Sequence, residues 1–219
     1  MKSFRQFVTL REETTIGDPT PNHYRRMQKS HEVLPVDSDV ELLSKPPSDD
    51  SEETRVELME LQDRSELTKD RNEVMEKWDK DIPKPFLEYM GKHNLKYNLN
   101  DIEQLMDQSN TIVLKQKYLY ARPRPFILAK NLGMSSYSIN TNTTKSPSYP
   151  SGHSTQSRLL ALYLAERHRR HSEALLNMAE ECGESRLNAF LHYPSDHEAG
   201  QYLANLLWES CTLRGKIND

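Results

Sequence analysis

The sequence predicts an all-α fold, a helical bundle preceded by an extended or disordered N-terminal arm. Three observations carry that prediction. Apolar residues recur at three- and four-residue spacing through most of the chain beyond residue 50. Helix starts are marked by polar residues with a glutamate three positions on, as in Asn100 with Glu103 and Ser195 with Glu198. No segment shows the strict alternation of a half-buried strand.

Two regions follow from composition. Residues 1–50 contain Pro19, Pro21, Pro35, Pro46, Pro47 and the polar run Ser48-Asp49-Asp50-Ser51, with few periodic apolar positions. They read as a flexible arm. Its first eight residues are an exception, because Phe4, Phe7 and Val8 fall at helical spacing beside Lys2 and Arg5. Residues 51–219 form the helical domain. Glu52 to Asp79 lacks Gly and Pro and carries a ragged stripe from Val56 to Trp78, giving one long helix or two shorter ones. Residues 84–93 read as a short helix. The stripe Ile102, Leu105, Met106, Ser109, Val113 defines a helix from Asn100 to Tyr120 that Pro123 stops. Residues 130–149, rich in Ser, Asn and Thr, read as a long loop. A helix from Gly152 to about Arg170 has Leu159, Leu160, Tyr163 and Leu164 as its core face. Another starts at Ser172 with Gly183 as its expected stop. The last starts at Ser195 and carries Tyr202, Leu203, Leu206 and Leu207.

Composition excludes several classes of function. Apolar residues make up 35% of the 219, and no run approaches the ~18–20 needed to span a membrane. The opening residues lack the apolar core of a secretory signal. Two cysteines, Cys182 and Cys211, are too few for a disulfide framework and read as buried small hydrophobes. The chain is therefore expected to be soluble and cytoplasmic, without integral membrane insertion. A net charge of −4 offers no global attraction to nucleic acid.

Chemistry concentrates in three blocks. Lys115 and Arg122 stand seven apart at the end of one helical pattern, and Pro123 stiffens the terminus that holds the guanidinium. Lys117 and Arg124 read as ordinary solvated charges. Pro150-Ser151-Gly152-His153 lies at the foot of a helix, where free N–H groups and the helix dipole favour an anion and His153 offers a titratable proton. In the third block Arg186 precedes His192, and Asp196 lies four residues on across Pro194, close enough to orient the imidazole. A His192–Asp196–His197 metal cluster is the poorer reading, since the nearby Lys and Arg would repel a cation.

Taken together, Lys115-x6-Arg122-Pro123, Pro150-Ser151-Gly152-His153 and Ser185-Arg186-x5-His192-x3-Asp196 resemble the signature of the type 2 phosphatidic acid phosphatase superfamily, which also holds the vanadium haloperoxidases. The wording around the blocks, Tyr120-Ala121-Arg122-Pro123-Arg124-Pro125-Phe126 and Ser148 to His153, is similar to the soluble bacterial class A non-specific acid phosphatases. The likeness covers roughly residues 70–212. It implies a metal-independent phosphatase acting on a small phosphorylated substrate through a phosphohistidine. His192 would be the nucleophile, Asp196 its orienting group and His153 the leaving-group acid. Lys115, Arg122, Ser151, Gly152 and Arg186 would hold the phosphoryl oxygens. No cofactor is implied, although vanadate would serve as inhibitor, or as cofactor in the alternative of a haloperoxidase. The first eight residues resemble capsid-targeting peptides of large tailed phages, and so a packaged virion protein with a vestigial domain is the third reading.

Overall fold

The structure is a computed structural model that describes residues 18–67, 71–135, 141 and 144–216. The first eight residues, with their amphipathic spacing and likeness to capsid-targeting peptides, lie outside these. Among the described residues there is helix and no strand. Nine α-helices succeed one another among the described residues: α1 Pro21–Met27, α2 Glu52–Leu67, α3 Arg71–Asp79, α4 Pro83–Lys92, α5 Leu99–Tyr120, α6 Pro125–Asn131, α7 Gly152–Arg167, α8 Ser172–Asn188 and α9 Pro194–Ser210. None is long and apolar enough to cross a membrane.

At the centre stands α7, packed against α5, α8 and α9. Its Leu159, Leu160, Ala161, Tyr163 and Leu164 are all completely buried, which is how a helix with neighbours on several sides must be built. Around it lies the main core, with Phe86 and Met90 from α4, Leu105 and Ile112 from α5, and Leu203 and Leu207 from α9. A second apolar cluster joins Leu58 and Leu61 of α2 to Leu128 of α6, to Leu187 of α8 and to Phe190 and Tyr193 in the turn before α9.

Several boundaries differ from those expected. α5 starts at Leu99, because Asn98 and not Asn100 is its cap; the Asn98 side chain accepts from the N–H of Asn100 at 3.0 Å and of Asp101 at 3.3 Å. Ala121 ends it in the left-handed region at φ 48°. The Arg122-Pro123 break is followed at once by α6, for which Pro125 supplies the first-turn residue that needs no N–H partner. Gly183 does not stop α8, which continues five residues further. A Cβ at position 183 would lie 2.2 Å from the His197 ring, so the glycine serves a close approach to α9. Gly200 does the same from the other side, since its Cβ would lie 2.6 Å from the Ser151 carbonyl oxygen.

The largest correction concerns the arm. Residues 18–50 are mostly non-helical, as expected, yet they are not a loose tail over that stretch. Leu34 is fully buried, and Val33 and Leu43 join the main core. The polar groups of this strap are met by one face of α5. Gln108 accepts from Val33 N at 2.7 Å and Leu34 N at 3.2 Å. Eight residues on, Gln116 accepts from Leu42 N at 3.0 Å and donates to Val40 O at 2.8 Å. Tyr120, a further turn along, exchanges hydrogen bonds with Leu43 N and O. The 108, 116, 120 spacing is that of one helix face, so α5 presents a row of side chains that substitutes for a strand partner. Composition hides this arrangement because the stabilising partners are polar and some 75 residues away.

Removing one rung should loosen the strap. Gln116→Ala removes the partner of the buried Ser38 carbonyl and of the half-buried Val40 O and Leu42 N, and should lower unfolding free energy by about 1–3 kcal/mol. Urea denaturation measures it. A change within error would mean the strap is held by its apolar residues alone.

Candidate active site

A cleft of ≈ 740 Å³ runs along α5 to the start of α7 and the turn before α9, where it is lined by the buried Lys117, Arg124, His153 and His192 and by Gly152. Each of these side chains is placed by local structure. Lys117 projects from the buried face of α5 and is only 4% exposed. Its Nζ donates to the carbonyls of Pro147 at 2.7 Å and Ser148 at 2.8 Å. Arg124 leads into α6 and donates from Nε to Ser146 O at 3.0 Å and from Nη1 to Leu191 O at 2.9 Å. His153 lies in the first turn of α7, behind the Ser151 cap, whose Oγ accepts from Ser154 N at 3.3 Å.

His192 is held from both sides. Its Nδ1 meets Asp196 Oδ2 at 3.1 Å, and its Nε2 meets Arg124 Nη1 at 2.9 Å. Asp196 can only accept and Arg124 can only donate, so Nδ1 carries the proton and Nε2 keeps its lone pair. Asp196 is completely buried and fully occupied. Oδ2 also accepts from Tyr193 N at 3.0 Å and from Ser148 Oγ, and Oδ1 accepts from Arg122 Nη1 at 2.8 Å.

The electrostatics follow from that packing. Burial pushes the His192 pKa well below its ordinary value, and the Arg124 charge adds to this against the pull of Asp196. His153 is pushed the same way by burial and by Arg186, His192 and Arg124. Burial and the neighbouring Arg124 lower Lys117 strongly, and burial brings Arg124 down to about 10. Burial would raise the Asp196 carboxyl, but Arg122 and the His192 hydrogen bond hold it well below the usual range. The cleft therefore presents neutral imidazoles among crowded cations, an environment that an anion would relieve.

The residues singled out in the sequence divide into three groups. His192, His153 and Gly152 line the cleft, and Asp196, Ser151 and Arg186 lie in the layer behind it. Arg186 pairs with Asp79 at 3.0 Å, and its charge bears on His153, Lys117 and Arg124. Lys115 and Arg122 belong elsewhere. Lys115 lies ~200° around α5 from Lys117 and pairs with the exposed Asp39 at 2.8 Å. Arg122 is buried outside the cleft lining, bound to Asp196, to Glu57 at 2.8 Å and to Ser195 Oγ at 2.7 Å, with its guanidinium 3.7 Å over the Tyr193 ring. The residues that the structure brings to the cleft are Lys117 and Arg124. They have the same Lys-x6-Arg-Pro spacing, two positions on, because the sequence contains Arg122-Pro123-Arg124-Pro125. The buried stripe of α5 marks the correct frame, since Val113 and Lys117 are one turn apart on it and Lys115 is not. Glu57 was not legible at all; it accepts from Ser195 N at 2.7 Å and neutralises Arg122.

His197 does not join His192. It faces away, with Nδ1 2.8 Å from Ser154 Oγ and Nε2 3.1 Å from Glu180. Glu180, Glu184 and His197 lie within 4.8 Å of one another, the one metal-ligand grouping found among the described residues, and it lies outside the cleft lining. Glu184 is already paired with Arg64.

A pH effect on stability follows from the two buried histidines. Their folded pKa values are lowered, so the unfolded chain, with histidines near 6.5, binds protons first as pH falls. Their contribution is present above about pH 6.5 and is lost below it. The melting temperature should drop between about pH 7 and pH 5, and drop less in a His153→Gln, His192→Gln double variant. Equal slopes would show that neither histidine is held neutral.

Comparison with known proteins adds an independent observation. Residues 106–214 match the family model described as the PAP2 superfamily. Similar curated proteins include the non-specific acid phosphatases of Salmonella typhimurium (strain LT2) and Salmonella typhi. Each is 38% identical over 87 residues, covering 40% of this chain and 34% of the relative. The chain thus spans about a third of the length of the curated relatives it matches. Lys117, Arg124, His153, Arg186, His192 and Asp196 all fall inside the matched region. Over residues 106–214 this chain belongs to the PAP2 superfamily.

Proposed function

We propose that the chain is a phosphatase that hydrolyses small phosphomonoesters through a phosphohistidine at His192, without a metal ion. The observation that carries the proposal is the His192 imidazole, protonated at Nδ1 by its bond to Asp196, with its Nε2 lone pair facing cations at the inner end of an anion-favouring cleft. Such a lone pair is ready for in-line attack on phosphorus.

Each neighbouring group has a role in that reaction. Arg124 donates to that lone pair at 2.9 Å and would turn its N–H groups to phosphoryl oxygens when substrate enters. Lys117 would supply a second positive charge, and the Gly152 N–H at the start of α7 a third donor, where the helix dipole adds to it. Arg186 and Ser151 act from the layer behind. Negative charge gathers on the equatorial oxygens as the ester bond breaks, and these fixed donors would stabilise it. His153 Nε2 is buried with no hydrogen-bond partner among the described residues. It would give its proton to the leaving oxygen and then take one from the water that attacks the phosphohistidine. For this it must be protonated when substrate is bound. A phosphate dianion beside it reverses the influence of Arg186 and Arg124 and raises its pKa. Nothing in these steps calls on a metal ion, and orthovanadate, as a phosphate mimic, would compete for the same donors.

The assay is hydrolysis of an aryl phosphate in excess EDTA. Wild-type chain should turn over, with inhibition by phosphate and orthovanadate. Lys117→Ala and Arg124→Ala should each lose roughly 10²–10³-fold in kcat/KM. Lys115→Ala should stay within about twofold of wild type, as expected of a surface change remote from the site. A large loss in Lys115→Ala with none in Lys117→Ala would restore the first frame. Activity that needs an added divalent metal would remove the metal-independent mechanism. Halide oxidation by peroxide on adding vanadate would instead favour the haloperoxidase reading.

A further inference from the structure

The geometry points to His197 as a positioning residue for the phosphate-binding turn, acting through Ser154 on Ser151. The inference rests on the phosphatase reading and extends it to a residue outside the cleft.

A continuous chain of hydrogen bonds runs from the exposed Glu180 of α8 inward to the foot of α7. Glu180 Oε1 meets His197 Nε2 at 3.1 Å, His197 Nδ1 meets Ser154 Oγ at 2.8 Å, and Ser154 Oγ donates to Ser151 Oγ at 2.9 Å. Ser151 and Ser154 are at most 1% exposed and His197 is 6% exposed. The Glu180 carboxylate can only accept, so the His197 Nε2 that faces it carries an N–H. Nδ1 meets Ser154 Oγ, the Ser154 and Ser151 hydroxyls share the next hydrogen bond, and Ser151 Oγ also accepts from Ser154 N–H at 3.3 Å. The Ser151 side chain is thereby fixed, and with it the turn whose next residue, Gly152, lines the cleft.

The surrounding backbone is shaped for this relay. Gly183 leaves room for the His197 ring, and Gly200 lets α9 approach Ser151 and Ser154. Ser151 N also donates to Asp196 O at 2.9 Å. The capping residue of α7 is therefore tied to two adjacent residues of α9, one through the backbone and one through the relay. Asp196 orients His192, and His197 holds the Ser151 turn that leads to Gly152 in the cleft lining. Positioning of this kind affects ligand binding steeply, because small displacements weaken several donors together.

The test compares His197→Ala, Ser154→Ala and His197→Asn with wild type. Asparagine places an amide group, which can accept or donate, where Nδ1 meets the Ser154 hydroxyl. Steady-state kinetics give KM and kcat, and calorimetry gives the affinity for inorganic phosphate without turnover. His197→Ala and Ser154→Ala should weaken phosphate and raise KM by roughly 10- to 100-fold, with a smaller fall in kcat, and His197→Asn should recover most of the affinity. A partly unfolded sample would instead lower kcat and leave the phosphate affinity of the folded fraction unchanged. Should His197→Ala fail to fold, Ser154→Ala decides the matter. Wild-type phosphate affinity in folded Ser154→Ala, or no recovery in His197→Asn, overturns the relay and leaves the phosphatase reading intact. A wild-type chain that neither binds phosphate nor hydrolyses the ester removes both.

Discussion

A carboxylate sealed from water governs the arrangement of this molecule. Asp196 has no solvent exposure, and a buried ionised group persists only with its charge balanced and its lone pairs filled. Four segments meet that demand. Arg122 comes from the break after α5, Ser148 from the loop before α7, Tyr193 N from the start of α9, and His192 from the turn between α8 and α9. Ser151 N is bonded to the backbone carbonyl of the same residue. Pairing one carboxylate therefore brings the nucleophile candidate, the helix-start turn and the Arg122-Pro123-Arg124 segment into register.

Arg122 neutralises Asp196 from behind. In front of it, Lys117 and Arg124 are oriented by carbonyl dipoles from Pro147, Ser148, Ser146 and Leu191. Carbonyl oxygens orient a cation while leaving net positive charge in the site. That is a poor arrangement for stability and a good one for receiving an anion, and its positive charge adds to burial in lowering the pKa values of His153, His192 and Lys117. The two arginines of the Arg-Pro-Arg-Pro run thus divide the work. The first compensates a buried acid, and the second faces the cleft.

Much of this was legible in the sequence, for reasons that can be named. His153, His192 and Asp196 stand at helix starts, where proline, serine and glycine punctuate the pattern, and local geometry alone brings Asp196 to His192. The helices α5, α7 and α9 were visible in their apolar stripes. The Lys-Arg pair was placed one frame early because two Lys-x6-Arg-Pro matches overlap, and only the buried side of α5 separates them. Long-range polar contacts stayed hidden. Nothing near Glu57 in sequence indicates that it caps α9 and closes on Arg122. Nothing in the proline-rich stretch before residue 50 indicates that Gln108, Gln116 and Tyr120 would receive it. Gly183 looked like a helix stop because its neighbour in space, His197, is 14 residues away in the chain.

The claim at the centre of this account is that His192 becomes covalently phosphorylated. The most direct measurement is acid-free rapid quenching of the full chain with a labelled aryl phosphate, followed by peptide mapping of the label. The account predicts an acid-labile, base-stable phosphoryl group on the peptide containing His192, appearing at a rate no slower than turnover and absent from His192→Ala. Label on another side chain, or turnover in single-cycle mixing with no labelled protein at any time, would contradict it.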